Sequence, residues 1–346
     1  MKRVLLVGAG GWGRQKWVDG ILSDFADRLS VTGIVDIDPQ KLNDAADALG
    51  VPPEGRFAEM EPAFESVEAD ICMISTPPAH HARPAILAAH RGMHILTEKP
   101  ISDAHDDVLA VHRAVNDTGV KMAVTQNYRF EIPILTMKDV LRSGELGRLH
   151  YLVGRYAHDY RAPGSWKVDH VHTRDYPLLI EGSIHHLDML RNLSGSNCET
   201  IMGYGWNPEW SNFKGVCSCL LLMQMDNGVR ASYEGNSLEA GQLNHWFHEA
   251  YRVECEKGAI GVDRDQVVRI HRRDDEGNEH SEVVTPVAPP QTGHNTIVSE
   301  FLEWLEGGPP PETQLADNIH SAALLFAAID AIASGEVRRV ADYLPA

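Results

Sequence analysis

Apolar runs and amphipathic stretches alternate along the first 125 residues, with glycine or proline at each change. Val4 to Val7 is an unbroken apolar run, as a strand covered on both faces requires. It stops at "GAGGWG", and "RQKWVDGIL" then reads as a helix. "VTGIVDID" is a second strand, and "DICMIST", "MHILTEKP" and "VKMAVTQNYRF" are others, separated by the helical stretches "ARPAILAAHRG" and "SDAHDDVLAVHRAVNDTG". Strands alternating with helices predict a doubly wound parallel sheet. Beyond this point the rhythm changes. "GRLHYLVGRYAHDYR", "ETIMGYGWNP", "GVCSCLLLMQMDNGVRASYEGN", "AYRVECEKGAIGVDRDQVVRIHRRD" and "EHSEVVTPV" are strand-like runs with glycine turns, and Asn227-Gly228 is a hairpin signal. These predict an antiparallel sheet. "TIVSEFLEWLEGG" and "DNIHSAALLFAAIDAIASGEVRRV" predict two closing helices.

The expected fold class is therefore α/β with two domains: a doubly wound parallel domain over 1–125 and a second α/β domain over 126–346. The terminal helices are free to pack back on the first domain. A chain of 346 residues is long for one core. No apolar run approaches the length of roughly 18 residues that a membrane span needs. "MKRVLLVGAG" runs into its glycine turn without a signal-peptide cleavage site, so a cytoplasmic protein without membrane partners is expected. The net charge of −18 argues against nucleic acid as a partner. Five cysteines, odd in number and unevenly spread, read as reduced structural thiols.

Gly8, Gly10 and Gly13 fit the spacing G-x-G-x-x-G, with Gly11 and Trp12 inside the turn. Such a turn lets a pyrophosphate approach free amides at the start of a helix. Asp36, ending the second strand, stands where an acid hydrogen-bonds the ribose 2′-OH; the alternative is that it caps the next helix. Asp36 and Asp38 together would repel a 2′-phosphate, which favours NAD over NADP as cofactor. "STPPAHH" and "TEKP" both lie at strand ends, where open α/β sheets bind ligands.

The glycine turn, followed by "STPPAHHARPAILAAHRGMHILTEKP" with Glu98-Lys99-Pro100 at a strand end, resembles the glucose-fructose oxidoreductase / inositol dehydrogenase / MocA family. The resemblance runs over essentially the whole chain. It implies an N-terminal Rossmann domain, a C-terminal α/β domain with a large open, mostly antiparallel sheet, and hydride transfer between a sugar or polyol carbon and the nicotinamide. It implies that Lys99 is catalytic and that Thr76, Pro77 and Glu98 border the nicotinamide ribose. His81 matches the histidine after the Thr-Pro turn, and Asn127 is placed with the cofactor. The family's open sheet face implies a homodimer or homotetramer.

A second segment, "LLIEGSIHHLDML", carries the family's other signature. By resemblance His185 is the catalytic histidine, Glu181 its acid partner and Asp188 a structural aspartate. Glutamate replaces the commoner aspartate, and Ser183 stands where many members have glycine. On a helix Glu181, His185 and Asp188 share one side. Taken alone, the segment fits a general base with its orienting acid, a metal site, or an amphipathic helix with a polar wet face. An imidazole can accept a hydroxyl proton as hydride leaves, and a nearby ammonium stabilises alkoxide character.

Tyr128, Arg129, Tyr160, Trp166 and His186 are the candidate substrate contacts, since a carbohydrate or polyol needs aromatic faces and polar partners together. A structural ion pair is the competing role for Arg129. His158, Asp159, His170, His172 and Asp175 precede the helix and could ligate a metal with it, although no fixed ligand spacing is present; no metal is expected. The sequence thus points to an NAD-dependent dehydrogenase acting on a sugar, cyclitol or glycoside hydroxyl. Alternatives are an NAD-dependent lyase or glycosidase using transient oxidation, a non-catalytic NAD-binding regulator, and an imine or biliverdin-type reductase.

Overall fold

The computed structural model describes residues 1–162, 164–166 and 169–346, with Asp169 and His170 as backbone only. It contains two compact units. One comprises Met1–Gln126 with His294–Ile319; the other comprises Asn127–Gly293 with His320–Leu344.

The first unit is built on six parallel strands: β1 (Lys2–Val7), β2 (Leu29–Val35), β3 (Arg56–Phe57), β4 (Ile71–Ile74), β5 (His94–Thr97) and β6 (Met122–Val124). Their spatial order is β3-β2-β1-β4-β5-β6, the Rossmann order. The apolar run in β1 is there because helices cover both faces: Val4 to Val7 are fully buried. Local chemistry ends the helices cleanly. Asp38 caps the helix Pro39–Leu49 by accepting from the amides of Gln40 (3.0 Å) and Lys41 (3.3 Å), and Gly50 closes it in a left-handed conformation.

The second unit holds a nine-stranded sheet of β7 (Leu149–Ala157), β8 (Cys198–Trp206), β9 (Ser218–Met225), β10 (Arg230–Asn236), β11 (Ala250–Cys255), β12 (Gly258–Val262), β13 (Arg269–Arg273), β14 (Glu279–Val283) and β15 (Arg338–Arg339). The order is β14-β13-β12-β11-β7-β10-β9-β8-β15. Only β7 and β10 run parallel; the other pairs are antiparallel. The helix Ile184–Ser194 packs on β7, where Gly154 leaves room for Leu190.

Beneath this helix the sheet is apolar and buried. On β9, Cys219, Leu221 and Met223 face inward while Leu220 and Leu222 are exposed, so this strand is apolar on both faces. Exposed Leu220 and Leu222 pair across the sheet with exposed Tyr204 and Met202. Among the described residues one helix, Leu315–Ser334, is long and apolar enough to cross a membrane, and 67% of its apolar window is buried inside the protein.

Candidate functional site

In the first unit the candidate residues gather at the carboxyl ends of the parallel strands. Gly8 leaves β1 with φ +92, and a Cβ there would lie 2.7 Å from the Ser75 backbone at the end of β4. A Cβ on Gly13 would lie 2.7 Å from the Gly8 carbonyl oxygen. The turn therefore tolerates no side chain at either position. Gly10, Gly11 and Trp12 complete it, and the helical segment that follows is π-helical over Gly13–Ile21 with no side-chain cap on its first amides. A cavity of about 460 Å³ opens beside the turn, lined by Ala9, Gly10, Gly11, Arg14, Lys41, Asp44 and Asp47. π-helical turns are rare and concentrate at functional sites.

Asp36 secures the turn from the tip of β2. Its carboxylate accepts from the amides of Ala9 (2.8 Å) and Asp38 (2.9 Å). Helix capping, the competing role for Asp36, falls to Asp38 instead. The Lys41 ammonium, 3.1 Å away, and the capped amides hold the Asp38 carboxyl below its ordinary range.

The end of β5 is more tightly bound than sequence alone suggests. Glu98 is buried, and its carboxylate accepts from the indole N–H of Trp12 (3.0 Å), the indole N–H of Trp17 (2.9 Å) and the Thr125 hydroxyl (2.8 Å), with His294 at 3.4 Å. Burial pushes this carboxyl up, but His294, the Thr125 hydroxyl and the charge of Lys99 outweigh burial and bring it down to about 2. The expected ribose neighbour thus has both oxygens engaged by the protein. His81, fully buried, likewise lies against the carbonyls of Pro100 and Thr76. Thr76 and Lys99 are partly exposed on this edge and Pro77 is exposed. Gln126, just past β6, is 1% exposed, and neither end of its side-chain amide has a hydrogen-bond partner among the described residues. A buried amide in that state calls for a partner outside the chain, a water or a ligand. It went unassigned because nothing in "VTQNYRF" tells Gln126 from its neighbours.

In the second unit the quoted segment is not an amphipathic helix. A π-helical turn occupies Leu179–Ser183, and ten of the eleven residues of Ile184–Ser194 are buried, His185, His186, Asp188 and Arg191 among them. The wet polar face considered above is absent, so each polar side chain there must find a protein partner. Glu181 and Asp188 find different ones. Glu181 lies 3.5 Å from the Arg174 guanidinium. Asp188 accepts from Arg129 Nε (2.7 Å), Arg129 Nη2 (2.5 Å) and the Ser321 hydroxyl (2.5 Å), with Arg191 at 3.6 Å. Of the two roles considered for Arg129, the geometry gives the structural ion pair: it is 3% exposed, and its Nε and Nη2 both donate to Asp188.

The other expected substrate residues form an aromatic shelf around the two histidines. The Tyr128 ring stacks flat on His185, with centroids 4.2 Å apart and planes at 12°. Tyr128 and Tyr160 are themselves buried, at 4% and 3%, so they back the site from within the protein. Burial, with Glu249 adding to it, raises the Tyr128 phenol well above its usual value. His186 lies 2.6 Å through Nδ1 from the Tyr233 hydroxyl and 3.5 Å through Nε2 from buried Glu249. Tyr160 stacks on Trp166, and Trp246 bridges toward His185 at 6.3 Å between rings. Glu249 and Trp246 lie in a stretch, "NHWFHE", with no periodicity to single them out. Asn127 is buried where this unit begins.

The histidines considered as metal ligands are drawn into the fold. His158 Nδ1 lies 2.7 Å from the Asn244 carbonyl and His172 Nε2 3.0 Å from that of Tyr160, and Asp159 is held bidentately by Arg161. The His170 side chain lies outside the described residues. Among those described, no group of three or more His, Cys, Asp or Glu side chains could hold a metal ion.

Comparison with known proteins decides the family. Residues 2–126 match the model of the oxidoreductase family with an NAD-binding Rossmann fold, and residues 134–261 match the Gfo/Idh/MocA C-terminal domain. The chain belongs to the Gfo/Idh/MocA oxidoreductase family. An uncharacterised protein of Sinorhizobium fredii is 36% identical over 99% of this chain and 96% of its own length. The scyllo-inositol 2-dehydrogenase (NAD(+)) of Bacillus subtilis is 28% identical over 48% of each chain. Among solved structures, an oxidoreductase from Agrobacterium radiobacter in complex with NAD+, L-tartaric acid and magnesium superposes with a TM-score of 0.85 at 19% identity, covering 99% of both chains. The Gfo/Idh/MocA assignment makes the first unit an NAD-binding Rossmann domain. The glycine turn and the helix start without a side-chain cap fit such a dinucleotide, since they leave backbone amides for a diphosphate, with the Asp36 carboxylate beside them at the tip of β2.

Proposed function

We propose that this protein is an NAD-dependent dehydrogenase of a sugar, cyclitol or glycoside hydroxyl, with His185 as general base, Lys99 as electrostatic partner and Glu181 as orienting acid. The observation that carries the reading is the place of Lys99. It follows β5 on the carboxyl edge of a parallel sheet, the same edge on which β1 delivers the glycine turn. A bound dinucleotide supplies the hydride acceptor. The chain's residues hold the alcohol, take its proton at His185 and stabilise the developing alkoxide at Lys99. NAD is favoured over NADP because Asp36 and Asp38 present negative charge where a 2′-phosphate would lie. Gly8, Gly10, Gly11, Trp12, Gly13, Thr76, Pro77 and Asn127 belong to the cofactor side of this reading. Tyr128, Tyr160, Trp166 and His186 belong to its substrate side. All five cysteines are free and buried, which suits the reducing cytoplasm.

The test is NADH formation across a panel of sugars, inositols and glycosides, each positive repeated with Lys99→Ala. The variant should lose roughly 10²–10³ in kcat, as removal of a transition-state charge partner does, and should still bind NAD. Undiminished turnover would remove Lys99 from the chemistry. Product formed without net NADH would point instead to elimination through transient oxidation.

The exposed apolar face of β8 and β9 supports a homo-oligomer. Met202, Tyr204, Trp206, Leu220 and Leu222 are between 37% and 72% exposed, and a contiguous apolar patch of this kind marks an interaction surface. Leu222→Asp should shift the particle mass in solution to that of a smaller species by light scattering. An unchanged mass would place the contact elsewhere.

A further inference from the structure

Both ring nitrogens of His81 face carbonyl oxygens. Nδ1 is 2.7 Å from the Pro100 carbonyl, Nε2 is 2.6 Å from the Thr76 carbonyl, and the residue is 1% exposed. A carbonyl only accepts, and a neutral imidazole carries one N–H. In either neutral tautomer, therefore, one nitrogen would aim its lone pair at an oxygen lone pair at hydrogen-bond distance. Both gaps are single hydrogen bonds, so no water fits between. Only the doubly protonated ring donates to both carbonyls.

We infer that His81 is a buried imidazolium that clamps the turn after β4 to the turn after β5, and is thereby a positioning residue for Lys99. The backbone shows why a clamp is needed there. The β4–β5 ladder pairs Ile74 with Thr97 and closes with the Glu98 amide donating to the Ile74 carbonyl. Two residues later Pro100 has no N–H with which to continue it. The His81 ring takes over, binding the residue after Lys99 on one side and the residue before Pro77 on the other. Lys99 thus lies between two anchors: Glu98, held by two indoles and a hydroxyl, and Pro100, held by His81. Ionised Glu98 and Lys99 itself stand along this turn. In this role His81 touches no cofactor atom; it acts through the backbone that carries the ammonium.

The inference rests on the reading of Lys99 as catalytic, and two measurements separate them. Nitrogen NMR of the full-length protein with ring-labelled histidine should show one histidine with both ring nitrogens protonated at neutral pH, its signals absent in His81→Gln. A spectrum in which every buried histidine has one protonated nitrogen overturns the imidazolium. Glutamine carries both of its N–H donors on one nitrogen and meets the second carbonyl with an oxygen, so His81→Gln should lower kcat by roughly a hundredfold, the scale of a misplaced catalytic group, with NAD affinity by tryptophan quenching changed less than about threefold. A kcat equal to the wild type's overturns the positioning role. If His81→Gln does not fold, the wild-type spectrum still decides the charge. If the wild type oxidises no substrate, the reading of Lys99 fails while that spectrum still decides the state of His81.

Discussion

Replacing His185 by alanine should lower turnover by roughly 10²–10⁴, the usual contribution of a positioned general base, with little change in NAD binding. The separation follows from where the residue lies. His185 belongs to the Asn127–Gly293 unit, whereas the glycine turn and Asp36 belong to the Met1–Gln126 unit. Its ring is held by face-to-face contact with Tyr128 and lies in a helix buried almost all round, so removing it leaves a small cavity and the nucleotide fold intact. Tyr128→Leu should reproduce part of the loss, because the imidazole then loses the flat surface that orients it. Steady-state kinetics together with fluorescence titration of NAD measure both. A His185→Ala protein that turns over at the wild-type rate would end its assignment as base; one that loses NAD binding in equal measure would make its role structural.

Breaking the Arg129–Asp188 pair should be the most costly single change to stability. Both side chains are nearly inaccessible, at 4% and 1%, and removing one partner leaves the other charged in a low-dielectric interior. Such truncations cost about 3–5 kcal/mol. Asp188→Ala should be the worse of the two directions, since it removes the acceptor that Arg129, Arg191 and Ser321 share. Arg129→Ala leaves Asp188 with the Ser321 hydroxyl and Arg191 nearby, and so should cost less. Denaturant unfolding of each variant checks the order. A loss below about 1 kcal/mol for Asp188→Ala would mean that the pair is solvated in solution and that the buried-charge argument fails.

The sheet of the first unit was legible because its signals are local. An apolar run such as Val4–Val7 identifies a doubly covered strand wherever it lies, and Gly8 and Gly13 are demanded by close backbone approach within one turn. The antiparallel character of the second sheet was legible for the same reason, in period-two alternation and glycine turns. The quoted helix was legible only in part. Helical periodicity assigns Glu181, His185 and Asp188 to a common side, and the burial of the helix adds what periodicity does not carry, the partners: Glu181 lies beside Arg174 and Asp188 is paired with Arg129.

What the sequence by itself determined is the set of elements, their alternation and the residue types at the strand ends, because hydrophobic periodicity, turn stereochemistry and capping act over a few residues. What only the tertiary structure decided is which polar groups remain for a ligand and which are consumed by the protein. Glu98 and His81 look equally available in the sequence; one carboxylate is taken by Trp12, Trp17 and Thr125, and one imidazole by two carbonyls. A buried polar group must be satisfied by whatever the fold brings beside it, and that partner can come from any distance along the chain.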